Sequence, residues 1–233
     1  MKTNKLLLLT TVLSVQLCFA QFAKIVDKDG YVNVRENADI KSKIVGKINT
    51  DEIVYVYESD SSHKNWLNAY YNDKISGFIY SSKAQLIGSY EAVPSTIQEV
   101  NKVIFESGNI RVSIISDKFN YKAHKKFFSS SQYNGQEIED KYKGKKIWGT
   151  DGTIPQTYYQ SIAIQIGNKT IQIPNKEIEN LFNPNNELTH CYYDRQNETL
   201  YISMLNSDGA GSYVALLRIV KGEYKGKMVA MPF

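Results

Sequence analysis

Three groups of residues in this chain could carry chemistry. The first is a thiol with imidazoles nearby in sequence. Cys191 follows His190 directly, and thiol hydrolysis needs a thiolate beside an imidazole base. Neighbours along a strand point to opposite faces, so these two cannot act as nucleophile and base, and His63 or His124 would have to fold onto the sulfur instead. Cys191 is therefore expected to be a buried structural residue. His63, His124 and His190 are each isolated, without the close grouping that a metal site requires. No metal and no cofactor is expected.

The second group is a set of loop carboxylates, Asp151, Asp194 and Asp208. Glycosidic cleavage needs two carboxyl groups about 5 to 10 Å apart across a cleft. Asp in Asp-Gly and Asn-Ser-Asp-Gly already has a use, because its side chain bonds the turn backbone. The loop Asn206 to Ser212 lacks the alternating acidic ligands and closing Glu of a calcium loop. The third group is aromatic and amide. Tyr31, Tyr55, Tyr57, Trp66, Tyr70, Tyr71, Phe78 and Tyr80 are interleaved with Asn33, Arg35, Asn37 and Asn68. Aromatic faces pack on sugar rings and peptide backbones while amides and guanidinium orient them by hydrogen bonds. Tyr and Trp are also favoured strand residues, so part of the set serves packing, Trp66 and Phe78 above all. The expected ligand contacts are Tyr31, Asn33, Arg35, Asn37, Tyr70 and Tyr80.

The elements that must position these groups are short strands. From Ala23 to Ile87, β-branched and aromatic runs (Tyr31–Val34, Ile44–Ile48, Ile53–Tyr57, Trp66–Tyr71, Ile75–Tyr80) alternate with turns rich in Asn, Asp, Gly and Ser. That spacing predicts a small closed or half-open β-barrel over residues 21–88. Residues 89–94 read as a linker, and Ser95-Thr96-Ile97-Gln98 as a capping box opening a short helix. Beyond it the strand pattern returns. Ile110, Val112 and Ile114 alternate after the turn Gly108-Asn109, and Ile162 to Ile173 forms a hairpin about Gly167-Asn168. Asn175 is expected to cap a short helix with Ile178, Leu181 and Phe182 on one side. Three further runs, Leu200–Leu205, Tyr213–Val220 and Lys227–Pro232, complete an antiparallel sheet of one domain over residues 95–233. The polar stretch Ser129–Lys146 reads as an exposed loop. The expected fold class is mainly β, a small barrel followed by an antiparallel β domain with one or two short helices.

Of the 233 residues, 42% are apolar, 22% charged and 12% aromatic, which suits a globular protein and excludes whole-chain disorder. The start Met1-Lys2-Thr3-Asn4-Lys5, the apolar run from Leu6 and the end Cys18-Phe19-Ala20 read as a secretory signal peptide over residues 1–20. The expected product is secreted or periplasmic, with no membrane insertion after cleavage and with Cys191 as its lone thiol, so no intramolecular disulfide. The 28 basic and 24 acidic residues give +4. Loss of Lys2 and Lys5 leaves +2, too even for a nucleic-acid footprint.

Asp29-Gly30-Tyr31-Val32-Asn33-Val34-Arg35 resembles the opening of the bacterial SH3 domain. The likeness continues through Lys43–Ile48, Glu52–Tyr57, Trp66-Leu67 and the closing Gly77-Phe78-Ile79. Glu36-Asn37-Ala38-Asp39 departs from the small residue and Gly-Pro-Ser usual in that family. The resemblance implies binding to the cell wall or to a peptide, and so a non-catalytic, envelope-associated protein whose partner is peptidoglycan or an envelope peptide or protein. Trp148–Gly152 and Asn206–Tyr213 are similar to segments of uncharacterised secreted proteins that also carry such a domain, a likeness that implies no function. Two alternatives stand beside this reading. One is a wall hydrolase using loop carboxylates of the second domain. The other is an immunity-type inhibitor that binds another protein.

Overall fold

A computed structural model of the chain describes residues 21–57 and 63–233. The expected leader, 1–20, and the expected turn at 59–62 lie outside the described residues. The chain is mainly β, with antiparallel sheets. Seven strands form the first sheet: β1 (Gln21–Ile25), β2 (Tyr31–Arg35), β3 (Ile44–Asn49), β4 (Ile53–Val56), β5 (Trp66–Asn72), β6 (Ile75–Tyr80) and β7 (Ala84–Leu86). Their order is β3-β2-β6-β5-β4-β1-β7. Alternation decides which side chains turn inward. Val32 and Val34 of β2 join Ala23, Ile25, Ile48, Val54, Val56, Ala69 and Ile79 in one core, which the sheet curls around. Among the described residues the end strands β3 and β7 do not pair with each other, so the ladder is open and no closed barrel is found. Gly77 is needed where β6 meets β2. Its φ is +148°, and a Cβ there would collide with the Arg35 carbonyl oxygen.

The rest of the chain supplies β8 (Glu91–Val93), β9 (Ser95–Glu99), β10 (Lys102–Ser107), β11 (Ile110–Lys118), helix α1 (Tyr121–His124), β12 (Phe128–Tyr133), β13 (Gln136–Tyr142), β14 (Lys145–Lys146), β15 (Thr157–Ile166), β16 (Lys169–Gln172), helix α2 (Asn175–Ile178), β17 (Thr189–Asp194), β18 (Thr199–Asn206), β19 (Tyr213–Val220) and β20 (Glu223–Ala230). The expected single sheet is in fact two five-stranded sheets, β16-β15-β11-β10-β9 and β20-β19-β18-β17-β8. Val112, Ile114, Ile162 and Ile164 of one share a core with Leu200, Ile202, Ala215 and Leu217 of the other, which makes a sandwich.

Four local expectations are corrected. Residues 95–98 form β9 rather than a capped helix, because Gln98, Ile97 and Ser95 pair with Val103, Ile104 and Phe105 of β10. The expected linker contains β8, which pairs Val93, Ala92 and Glu91 with β17. The expected loop 129–146 lies within a three-stranded sheet, β12-β13-β14, turned by Asn134-Gly135 and Lys143-Gly144, all four at positive φ. In α2, Asn175 is the first helical residue and Pro174 flanks it, while Ile178, Leu181 and Phe182 are buried as expected.

The two domains are joined by a third apolar cluster. Phe22, Ile53 and Tyr55, on the outer face of β1 and β4, pack with Ile87 against Tyr201, Val214, Leu216 and Ala230 of the sandwich. Lys24, on the same outer face, reaches Asp194 at 3.0 Å, and solvent touches little of either side chain. Tyr90 stacks on Tyr201 beside them, with ring centroids 5.5 Å apart. The Tyr55 hydroxyl donates to the Pro232 carbonyl at 3.3 Å. Both faces of β1 and β4 are thereby covered, which explains why nearly every residue of β1 and all of β4 are buried.

Candidate functional site

The outer face of the first sheet runs beyond the junction, and strand register shows which residues share it. Tyr55 of β4 lies opposite Tyr70 of β5. Tyr70, Asn68 and Trp66 lie opposite Ser76, Phe78 and Tyr80 of β6. Phe78 in turn faces Arg35 of β2, whose outward residues are Tyr31, Asn33 and Arg35. The junction covers the β1 and β4 end of this face and leaves the β5, β6 and β2 end to water. Tyr31 is 36% exposed and Tyr80 41%, against 2% for Tyr55.

Of the six expected contacts, Tyr31, Asn33, Arg35 and Tyr80 come together on the open part. The Lys47 ammonium sits 4.0 Å from the centre of the Tyr31 ring. Asn33 lies opposite Lys47, and its buried Oδ1 has no hydrogen-bond partner. Arg35 donates through Nη1 to the Ser42 carbonyl at 2.7 Å. Asn37 is displaced from the face. It lies in the loop after β2, where its backbone N–H and its Nδ2 both donate to Ser42 Oγ, at 3.0 and 3.3 Å. Arg35 and Asn37 thus fasten the same loop from two sides, and the chain here holds its shape through Ser42 and Asp39. Tyr70 is also set apart, at the margin of the junction, where its hydroxyl donates to Asp73 Oδ1 at 2.8 Å. Burial, then the hydrogen bond to Asp73, pushes that phenol up to about 12.

Two residues assigned to packing belong to the open face. Trp66 stands edge-on to Tyr80, with centroids 5.4 Å apart and an interplanar angle of 89°. Phe78 is half-buried between Arg35 and Asn68. Neither joins the inner core or the junction cluster. Parity would have found them, because Trp66 and Phe78 alternate with Leu67 and Ile79, which turn inward.

The groups weighed for hydrolysis sit in separate settings, except Asp151 and Asp208, whose loops meet. Cys191 is buried in the sandwich core, and burial holds its thiol well above its ordinary value. His190 lies on the other face of β17, opposite Ser203, and His124 takes the Asn120 carbonyl at 2.9 Å. Asp194 is engaged at the junction by Lys24 and Asn197. Asp151 and Asp208 lie at another end of the sandwich, where Trp148–Gly152 meets Asn206–Tyr213. There the Gly149 carbonyl accepts from Asn183 Nδ2 at 2.6 Å and from Ser207 Oγ at 2.9 Å. These two segments, distant in sequence, are therefore joined into one support. Among the described residues no cluster of three or more His, Cys, Asp or Glu could hold a metal ion. Compared with protein-family models, curated proteins and solved structures, the chain matches none of them.

Proposed function

We propose that the protein is an exported, non-catalytic, envelope-associated binding protein. Its ligand is a neutral, polar polymer of the cell envelope, with peptidoglycan the leading candidate. The binding surface is the open part of the first sheet, where Tyr31, Trp66, Phe78 and Tyr80 offer ring faces and edges and Asn33 and Arg35 offer polar groups. One observation carries this reading: a continuous aromatic face is sealed by the second domain at one end, and its remaining rings meet water without joining any core. Adjacent strands lie about 4.8 Å apart. Rings on three neighbouring strands therefore form a shallow strip, suited to an extended chain rather than to a small enclosed ligand.

The test is co-sedimentation of residues 21–233 with purified peptidoglycan at low salt. The wild type is expected in the pellet. Two aromatic contacts at about 0.5–1.5 kcal/mol each correspond to a loss of retention of about fivefold or more in Tyr31→Ala/Tyr80→Ala. No retention of the wild type, or equal retention of the double variant, would remove the proposal.

A further inference from the structure

We propose that the cleft between the two domains is a second binding site, and that its ligand is a small zwitterion, an amino acid or short peptide with a free amine and a free carboxylate. The cleft has a volume of about 390 Å³. That is near the small end of the range for small-molecule sites, about 300–1,000 Å³, and too little for a polymer. The wall from the first domain carries two carboxylates, Glu52 and Asp73. Tyr70 donates to Asp73 at 2.8 Å, and Tyr71 lines the same wall as Glu52. The wall from the sandwich carries Arg218 and Lys225. Arg218 donates through Nη1 to the Asp51 carbonyl at 2.5 Å, so its guanidinium is anchored across the junction. Lys225 reaches the exposed Glu223 at 2.5 Å, a pair that solvent weakens. Lys227 also borders the cleft, but its ammonium turns to Glu177.

Among the described residues no ion pair crosses this space. Opposite charges stand on facing walls; the Tyr70 hydroxyl holds Asp73, and the Asp51 carbonyl of the first domain holds the Arg218 guanidinium. A ligand whose amine meets Glu52 and Asp73 while its carboxylate meets Arg218 and Lys225 completes both halves at once. Hydrogen bonds to charged groups are the stronger class. The rings of Tyr70 and Tyr71 offer apolar contact between the two ends. This site is separate from the polymer strip, and the probe used to test it contains no polymer, so failure of either reading leaves the other standing.

The experiment is an NMR titration of residues 21–233 with alanylalanine, free alanine, N-acetyl-alanylalanine and alanylalanine amide. Alanylalanine is expected to shift resonances of β5 and β20, and loss of either terminal charge is expected to weaken it about tenfold or more. Asp73→Asn and Lys225→Gln, both at exposed positions, are each expected to weaken alanylalanine by about tenfold, which is about 1.4 kcal/mol. Binding of free alanine as tight as the dipeptide identifies an amino-acid site, and preference for the dipeptide a peptide-end site; both support the proposal. No shift at millimolar dipeptide, equal binding of the capped dipeptides, or unchanged binding by both variants would overturn it.

Discussion

The two ends of the outer face of the first sheet are built from the same kinds of residue and have opposite surroundings. At the β1 and β4 end, Phe22, Ile53 and Tyr55 are sealed against Tyr201, Val214 and Leu216. At the β5, β6 and β2 end, Trp66, Phe78, Tyr80 and Tyr31 stand on the same side of the same ladder and, among the described residues, belong to none of the apolar clusters. Burial pushes the phenols of Tyr55 and Tyr201 up to about 12. Aromatic content therefore says little about role in this domain. What separates the sealed rings from the open ones is whether the second domain covers them.

The ion pair at the covered end is the sharpest place to break this contrast. Removing one partner of a buried pair leaves the other charge unpaired, at a cost of about 3–5 kcal/mol, whereas an apolar replacement of both is often neutral. Asp194→Ala is expected to lower unfolding stability in urea by that amount, and Lys24→Met/Asp194→Leu to recover most of it. The pH dependence follows from the same pair. Burial opposes ionisation of Asp194, but Asn197 and Lys24 outweigh it and hold the carboxyl below its ordinary 3.8. Burial likewise opposes the Lys24 charge, and its hydrogen bonds to Tyr90 and Asp194 outweigh it, raising the ammonium above 10.5. The pair's contribution is then in full between those ordinary values. It is lost as pH falls through the depressed carboxyl value, and on the alkaline side only as pH passes the raised ammonium value. The apolar double variant should lack this acid-labile share, as measured by urea midpoints taken across pH 2 to 7, a range of about 5 units.

Ring truncation gives the next contrast. Tyr55→Ala opens a cavity in the junction and is expected to cost about 3–5 kcal/mol. Tyr80→Ala loses one edge contact with Trp66 and is expected to cost about 0.5–1.5 kcal/mol. Chemical denaturation of the two variants side by side measures the difference. Equal losses would mean that the open rings are structural as well.

Much of the fold is legible in the sequence because strand parity is local. Tyr31–Arg35 reads directly as two inward valines between outward polar and aromatic residues, and Ile162 to Ile173 as a two-residue hairpin. The misread segments fail for physical reasons. Both faces of β12 are largely in water, so Phe128–Tyr133 has no alternation to detect, and its one local sign, Asn134-Gly135, is a turn whose type requires positive φ at both positions. The capping box at Ser95 is overridden by a ladder to residues 102–105, and the Glu91–Val93 strand exists because β17 offers it an edge. Four of the six expected contacts do share a surface. Asn37 is drawn into its loop by Ser42, and Tyr70 is placed at the junction by a domain contact far away in sequence. No local pattern encodes which rings the sandwich covers, nor the facing charges of the interdomain cleft.

Tyrosine nitration by tetranitromethane, mapped by mass spectrometry with and without peptidoglycan, tests the division of the face most directly. Tyr31 and Tyr80 are expected to be modified in the free protein and protected when the polymer is bound, while Tyr55 and Tyr201 stay unmodified in both states. Modification of Tyr31 and Tyr80 at the same rate on protein held in the polymer pellet would contradict the account.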